Sequence, residues 1–172
     1  MDKYVDRILD EFGIKKNSLE ERGLHRYKEP LNLEIIQTDN NGKNHYLNPE
    51  AAHAWREMKS SALIDGIELI IVSAFRSIDY QAEIIRKKLD KGLSIEEILK
   101  VSAAPGYSEH HTGRAIDITS PNSPILEEYF EFTPAFEWLN KNADKFNYYL
   151  SFGKNNSQGY LYEPWHWCYV KK

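Results

Sequence analysis

Ser108-Glu-His-His-Thr-Gly-Arg-Ala-Ile-Asp117 carries two potential metal ligands, a tight turn at Gly113 and the start of a strand. Beyond Gly113 the residues Ala115-Ile-Asp-Ile-Thr119 alternate in strand fashion, which sets Asp117 on the face opposite Ile116 and Ile118. The carboxylate is thereby free to face a cleft while the isoleucines face the core. His110 and Asp117 are nitrogen and oxygen donors suited to zinc, and Glu163-Pro-Trp-His166 offers a third donor with a carboxylate three residues before it. Three protein ligands leave one coordination position open, the pattern of a catalytic rather than a structural zinc site.

The flanking sequence supplies elements to hold this stretch. Ile67-Glu-Leu-Ile-Ile-Val-Ser-Ala-Phe75 is nearly continuous in apolar and β-branched residues, which predicts a central strand covered on both faces, with Arg76 at its end. Asn48-Pro49 predicts a helix capped by Asn48 with Pro49 in its first turn, running through Ala51, Trp55 and Met58 to about Ser61. A helix is expected over 80–91, and Ser94 and Glu97 stand at capping-box spacing for another. Nearer the start, Tyr4, Val5, Ile8, Leu9 and Phe12 recur at helical spacing before Gly13, a strand is expected over 31–37, and 39–43 is a turn by composition. Downstream, Thr133 and Pro134 open a helix over 133–144. Strands follow at 148–152 and, interrupted by Pro164, at 160–170. Helices and strands in mixed order, without a regular βαβ rhythm, predict an α+β fold: a small, mostly antiparallel central sheet with helices packed around it and a metal site in a cleft on the sheet.

At 172 residues the chain suits a single domain, read as an N-terminal helix and extension over 1–44 and a core over 45–172. Hydrophobic content of 41% beside 28% charged residues excludes a disordered or fibrous class. A formal charge of −4 with no clustered Lys and Arg argues against a nucleic-acid partner. No run approaches the roughly 20 apolar residues that span a bilayer. The charged first ten residues lack a secretion signal's apolar run, so the chain as written is expected in the cytoplasm, or at the cell envelope if export or lysis delivers it. A single cysteine, Cys168, excludes an internal disulfide. Oligomeric state is not readable.

A hydrolytic zinc site needs ligands for the ion, a base for the proton of the attacking water, and a donor for the developing oxyanion. His110, Asp117 and His166 fit the first requirement and Glu163 the second. Arg76 fits the third, its planar fork being suited to an oxyanion or a substrate carboxylate. Taken singly, each has an ordinary reading: a loop histidine or aspartate at the surface, Arg76 in a salt bridge, Glu163 as a solvated carboxylate.

The pattern Ser108-x-His110-x-x-Gly-x-Ala-x-Asp117 followed by Glu163-x-Trp-His166 resembles the two-part signature of the LAS zinc peptidases, which comprise D-alanyl-D-alanine carboxypeptidases, D-Ala-D-Ala dipeptidases and related peptidoglycan peptidases. The likeness is to the VanY-type carboxypeptidase branch, peptidase family M15 subfamily B. There Ser73-Ala-Phe-Arg-Ser77 resembles a Ser-Gly-Tyr-Arg-Ser strand end, with Gln81 five residues after the arginine, and Pro105-Gly-Tyr-Ser-Glu-His110, Trp138-Leu-x-x-Asn-Ala143 and Tyr162-Glu-Pro-Trp-His166 also fit. The resemblance implies one Zn²⁺ per chain held by His110, Asp117 and His166, with Glu163 as the base that later protonates the leaving amine. It implies substrate contacts for Arg76, Gln81 and Ser108, a sharp turn at Gly113 and room near the metal at Ala115. Trp165 reads equally as a cleft wall or a core aromatic.

The expected activity is removal of a C-terminal D-alanine from a peptidoglycan stem peptide, precursor or muropeptide, by D,D- or L,D-carboxypeptidase action. The alternatives are a D-Ala-D-Ala dipeptidase, an endopeptidase of the same family, or a non-catalytic cell-wall-binding module. Three departures stand out. Cys168 occupies the position two after the last ligand where the branch usually has arginine, and its Tyr-Gly-Phe and Ser-Tyr-Pro pieces appear as Phe146-Asn-Tyr148 and Ser151-Phe-Gly153.

Overall fold

The computed structural model describes residues 2–39 and 41–171; Asn40, within the turn predicted over 39–43, lies outside the described residues. Two helices, α1 (Asp2–Glu11) and α2 (Lys16–Glu21), precede a hairpin of β1 (Glu34–Thr38) and β2 (Asn44–Leu47). Then follow α3 (Pro49–Ile64), β3 (Ile70–Ser73), α4 (Ile78–Leu89), α5 (Ile95–Val101), β4 (Ala115–Thr119), α6 (Pro134–Asn142), β5 (Tyr148–Leu150) and β6 (His166–Tyr169). The last four strands form an antiparallel sheet in the order β3-β4-β6-β5. This is the α+β architecture expected from the element order.

Alternation across β4 divides the molecule. Ile116 and Ile118 join Trp167 of β6 and Ile71 of β3 in one hydrophobic cluster with Trp55 and Met58 of α3 and Leu139 of α6. A second cluster gathers α1, α2, α4 and α5 through Val5, Leu9, Leu19, Ile85 and Ile98, joined by Phe152 and Tyr160. All five residues of β4 are buried, so both faces of that strand are covered. Burying a leucine- or isoleucine-sized side chain stabilises by roughly 1.5–3 kcal/mol, so side chains such as these dominate the folding free energy.

The helix boundaries have local causes. Asn48 Oδ1 accepts from Ala51 N at 2.9 Å, with Pro49 in the first turn, so α3 starts where the cap and proline predict. Ser94 and Glu97 form a reciprocal capping box at α5, and Thr133 caps α6 ahead of Pro134. For α4 the cap is Ser77, whose Oγ accepts from Tyr80 N at 3.1 Å, so the helix begins at Ile78 rather than at residue 80. Tyr4 is exposed and its hydroxyl donates to Asp79, so α1 packs through Val5, Ile8 and Leu9 instead.

Two strand expectations are corrected. The apolar run over 67–75 forms an edge strand, not a central one; the centre of the sheet is β4 and β6. Its outer edge is satisfied by other means: the Gln37 side chain bonds both Ile71 N at 3.4 Å and Ile71 O at 3.2 Å, and Phe75 N donates to Tyr46 O at 2.9 Å. Lateral cover of this kind lets an edge strand carry an apolar sequence without presenting an open ladder. The strand expected over 160–170 is confined to His166–Tyr169, because Glu163-Pro164-Trp165-His166 forms a turn closed by His166 N to Glu163 O at 3.0 Å.

Candidate metal centre and cleft

Register across the sheet places the candidate ligands. Asp117 of β4 pairs with His166 of β6 on one side and with Ser73 of β3 on the other, a row of three on one face. A bulge between Ile71 and Ser73 re-aims the end of β3 and carries Arg76 toward this row. His110 arrives on a short 3₁₀ turn, Glu109–Thr112, which ends at Gly113 in a left-handed conformation with φ of 64°. An added Cβ at Gly113 would lie 3.0 Å from Asn48 N, and the Gly113 carbonyl accepts from that same N–H at 2.9 Å. Both the conformation and the close approach therefore require glycine there.

One ligand atom from each of His110, Asp117 and His166 lies within 4.8 Å of the others, and all three residues are buried. The tautomers are decided by their partners. His110 Nδ1 lies 2.6 Å from the Ala74 carbonyl, which can only accept, so Nδ1 carries the proton and Nε2 presents a bare lone pair. That Nε2 is buried without a hydrogen-bond partner, 3.2 Å from Asp117 Oδ2. A lone pair facing a carboxylate oxygen in the interior is unfavourable unless a cation lies between them, so the donor set fits a divalent metal ion. His166 Nε2 lies 2.9 Å from Glu109 Oε2, leaving Nδ1 to face Asp117 Oδ1 at 3.0 Å.

Protonation follows the same geometry. Burial, with Arg76 nearby, lowers His110 to about 4, so its imidazole is neutral at pH 7. Burial opposes ionisation of Asp117, but the two imidazoles outweigh it and hold the carboxyl well below the usual range. For His166 burial again opposes the charge, yet hydrogen bonds to Asp117 and Glu109 raise it to about 10. Glu163, placed by the 163–166 turn 3.9 Å from His166 Nδ1, is raised to about 7, chiefly by burial. A carboxyl poised there at neutral pH suits proton transfer.

These groups floor a cleft of about 390 Å³ that Arg76, Gln81, Ser108 and Trp165 also line. Arg76 is well anchored: Nη1 donates to Ser73 Oγ at 2.9 Å and to Asp117 Oδ2 at 3.2 Å, and Nε donates to Gln81 Oε1 at 3.1 Å. Gln81 Nε2 donates to Ala103 O at 2.8 Å, so both ends of this buried amide hold Arg76 in place. Ser108 Oγ accepts from His110 N at 3.3 Å and so caps the ligand turn as well as facing the cleft. Trp165 lines the cleft and packs against the first cluster, uniting its two readings. His111, left without a role by the sequence, is fully buried: Nδ1–H donates to Arg76 O at 2.7 Å and Nε2 accepts from Gly106 N at 3.0 Å. Burial lowers its pKa to about 4, so it is a neutral strut between the ligand turn and the arginine.

A family profile described as VanY, D-alanyl-D-alanine carboxypeptidase, matches residues 44–172. The chain belongs to the VanY family. Of the curated relatives, the Bacillus subtilis (strain 168) protein YodJ, whose carboxypeptidase role is itself inferred, is 39% identical over 131 residues, spanning 74% of this chain and 47% of YodJ. A D-alanyl-D-alanine carboxypeptidase of Enterococcus faecium is 30% identical over 130 residues, spanning 74% of this chain and 38% of its own length. The VanY-family chain thus covers about half or less of these relatives. Among solved structures, the LdcB LD-carboxypeptidase superposes with a TM-score of 0.74 at 34% identity, covering 83% of this chain and 69% of LdcB. VanYB in complex with D-alanine-D-alanine shares the fold, with a TM-score of 0.68 at 23% identity over 86% of this chain and 82% of VanYB.

The sequence reading overlooked one participant in this VanY-family site, Glu109. Its carboxylate bridges His166 Nε2 and Ser151 Oγ, the latter donating at 2.6 Å, and His166 holds its pKa down against burial. The only signal in the sequence was a carboxylate wedged between Ser108 and His110; that it meets a histidine 57 positions away is a tertiary fact. Cys168 shares the face of β6 with His166, as the two-residue spacing allows, and is buried. Burial, with Glu109 adjacent, raises its thiol well above the ordinary range, so it remains protonated and unreactive.

Proposed function

We propose that this protein is a zinc-dependent carboxypeptidase that removes the C-terminal D-alanine of a peptidoglycan stem peptide or its precursor. The observation that carries the reading is the buried, unpartnered Nε2 of His110 aimed at Asp117, beside His166 Nδ1 and within reach of Glu163. In this reading His110 Nε2, Asp117 and His166 Nδ1 hold one Zn²⁺. When bound, the ion supplies Lewis acidity, lowering the pKa of water and polarising a carbonyl. Glu163 accepts the proton of the attacking water and returns it to the departing amine, a role suited by its raised pKa. Arg76, immobilised by Ser73, Gln81 and Asp117, presents its remaining guanidinium edge to the oxyanion. Glu109 orients His166 by accepting from Nε2, the arrangement that commonly fixes a ligating imidazole.

The names of the relatives support this substrate class, and a bifunctional D-Ala-D-Ala dipeptidase and carboxypeptidase of Enterococcus gallinarum, 28% identical over 132 residues, keeps the dipeptidase as the second reading. No helix among the described residues is long and apolar enough to cross a membrane. The test is to incubate zinc-loaded protein with defined tri-, tetra- and pentapeptide stems and weigh the products. Loss of one D-alanine from the tetrapeptide marks an L,D-carboxypeptidase and loss from the pentapeptide a D,D-carboxypeptidase. Hydrolysis of free D-Ala-D-Ala, supplied as a further substrate, to two D-alanines would favour the second reading, and no cleavage of the stems or of the dipeptide would refute both.

A further inference from the structure

We propose that Lys88, with Ser102, forms a carboxylate-binding subsite on the cleft wall that receives the anionic end of the substrate peptide, an inference that rests on the carboxypeptidase reading. Gln81, Ile84 and Lys88 stand at i, i+3 and i+7 on α4, hence on one face of the helix, and all three line the same cleft as the candidate metal ligands. The neighbouring basic residue Arg86 points away and pairs with Glu11 at 2.9 Å. Lys88 is the basic residue of that last helical turn that is directed inward.

The place of its ammonium group follows from two hydrogen bonds to adjacent residues. Gln81 Nε2 donates to Ala103 O at 2.8 Å, and Lys88 Nζ donates to Ser102 Oγ at 2.7 Å. Ser102 and Ala103 are neighbours in the chain, so the ammonium group and the Gln81 amide are held on the same stretch of cleft wall. In a peptide substrate the terminal carboxylate lies one residue beyond the scissile carbonyl. With Arg76 at that carbonyl, Lys88 is a second cation lining the same cleft that the chain end can meet.

Among the described residues its ammonium group also has no direct ion-pair partner. Arg76 is matched by Asp117, and Glu109 is engaged by His166 and Ser151. Lys88 is half-buried and, among the described residues, has a neutral hydroxyl as its hydrogen-bond partner and no carboxylate within salt-bridge distance. Burial lowers its pKa even though the Glu163 carboxylate, too far for an ion pair, acts in the opposite direction. A carboxylate placed between Nζ and Ser102 Oγ would receive a charge-assisted hydrogen bond and a hydroxyl contact. An internal peptide bond offers this pair a neutral acceptor without the charge, so the subsite would favour chain ends over chain interiors. The same chemistry could come from the C-terminal carboxylate or from a side-chain carboxylate within the peptide.

The experiment compares zinc-loaded wild type, Lys88→Met and Lys88→Arg on matched stems bearing a free C-terminus or a C-terminal amide, each with and without a side-chain carboxylate at the residue before the scissile bond. Lys88→Met should raise KM for the free acid about tenfold or more, the loss of one charge-assisted contact, with kcat changed by less than about threefold. Lys88→Arg should restore much of that KM. A penalty confined to free C-termini assigns the terminal carboxylate, and one that follows the side-chain carboxylate assigns that group instead. Unchanged KM for every peptide in folded Lys88→Met overturns the subsite. If wild type cleaves none of the stems, the carboxypeptidase reading fails, and calorimetric binding of the acid and amide forms still decides the subsite: equal affinities in wild type and Lys88→Met, or no binding by either, overturn it.

Discussion

Replacing Glu163 by glutamine should stabilise the metal-free protein at alkaline pH while abolishing most turnover of the zinc-loaded one. Burial raises the Glu163 carboxyl from 4.5 to about 7. The folded state therefore holds this proton more tightly than the unfolded chain, and stability falls as pH rises from the unfolded value through the folded one. At about 1.4 kcal/mol per pKa unit, the ionised carboxylate destabilises the metal-free fold by about 3 kcal/mol at pH 8 and by about 1 kcal/mol at pH 5. Glutamine keeps the shape of the protonated acid and never ionises. In urea denaturation of chelator-treated protein, Glu163→Gln should thus gain about 3 kcal/mol over wild type at pH 8 and about 1 kcal/mol at pH 5. Bound zinc supplies a compensating charge and should shrink the difference. Turnover should drop by roughly 10²–10⁴-fold, the usual contribution of a general base, with zinc retained. A stability difference independent of pH, or normal turnover in the variant, would refute the assignment of Glu163 as a buried base.

Metal binding should tighten with pH, because His166 Nδ1 faces Asp117 protonated in the metal-free protein, with a pKa raised to about 10, and must release that proton to ligate. Chelator competition should show zinc affinity rising about tenfold per pH unit between pH 6 and 8, and a flat profile would refute a protonated His166 in the metal-free protein. Glu109→Ala should weaken zinc binding about 10- to 100-fold by releasing the His166 ring, again read by chelator competition, and an unchanged affinity would show that Ser151 or water holds the ring equally well. Gly113→Ala should destabilise the fold by about 1–3 kcal/mol in thermal or urea melts, since it places a Cβ at positive φ and 3.0 Å from Asn48 N; wild-type stability would mean that the ligand turn relaxes freely.

The parts of the structure legible in sequence were those governed by neighbours in the chain. The caps at Asn48, Ser94 and Thr133 act within three residues of themselves, and each helix starts where they predict. The alternation that sends Asp117 away from Ile116 and Ile118 is a property of any strand, and the structure retains it. By contrast, the apolar run at the end of which Arg76 stands reads like a central strand, yet Gln37 and Tyr46 cover its edge from a hairpin far off in sequence. Apolar composition reports how fully a strand is covered, whereas its rank in the sheet depends on which strands find it.

The sequence by itself determined the chemical inventory around Ser108–Asp117 and Glu163–His166: two imidazoles and an aspartate at spacings that suit one metal ion, a spare carboxylate, and an arginine at a strand end. Residue type and short-range spacing carry that information because ligand chemistry and turn geometry are local. Tertiary structure alone decided how those groups are charged and held. Glu109 meets His166, His111 ties Arg76 to the turn that carries His110, and Lys88 is held half-buried against the Ser102 hydroxyl. Protonation and orientation arise from burial and from partners distant in sequence, which only a folded chain assembles.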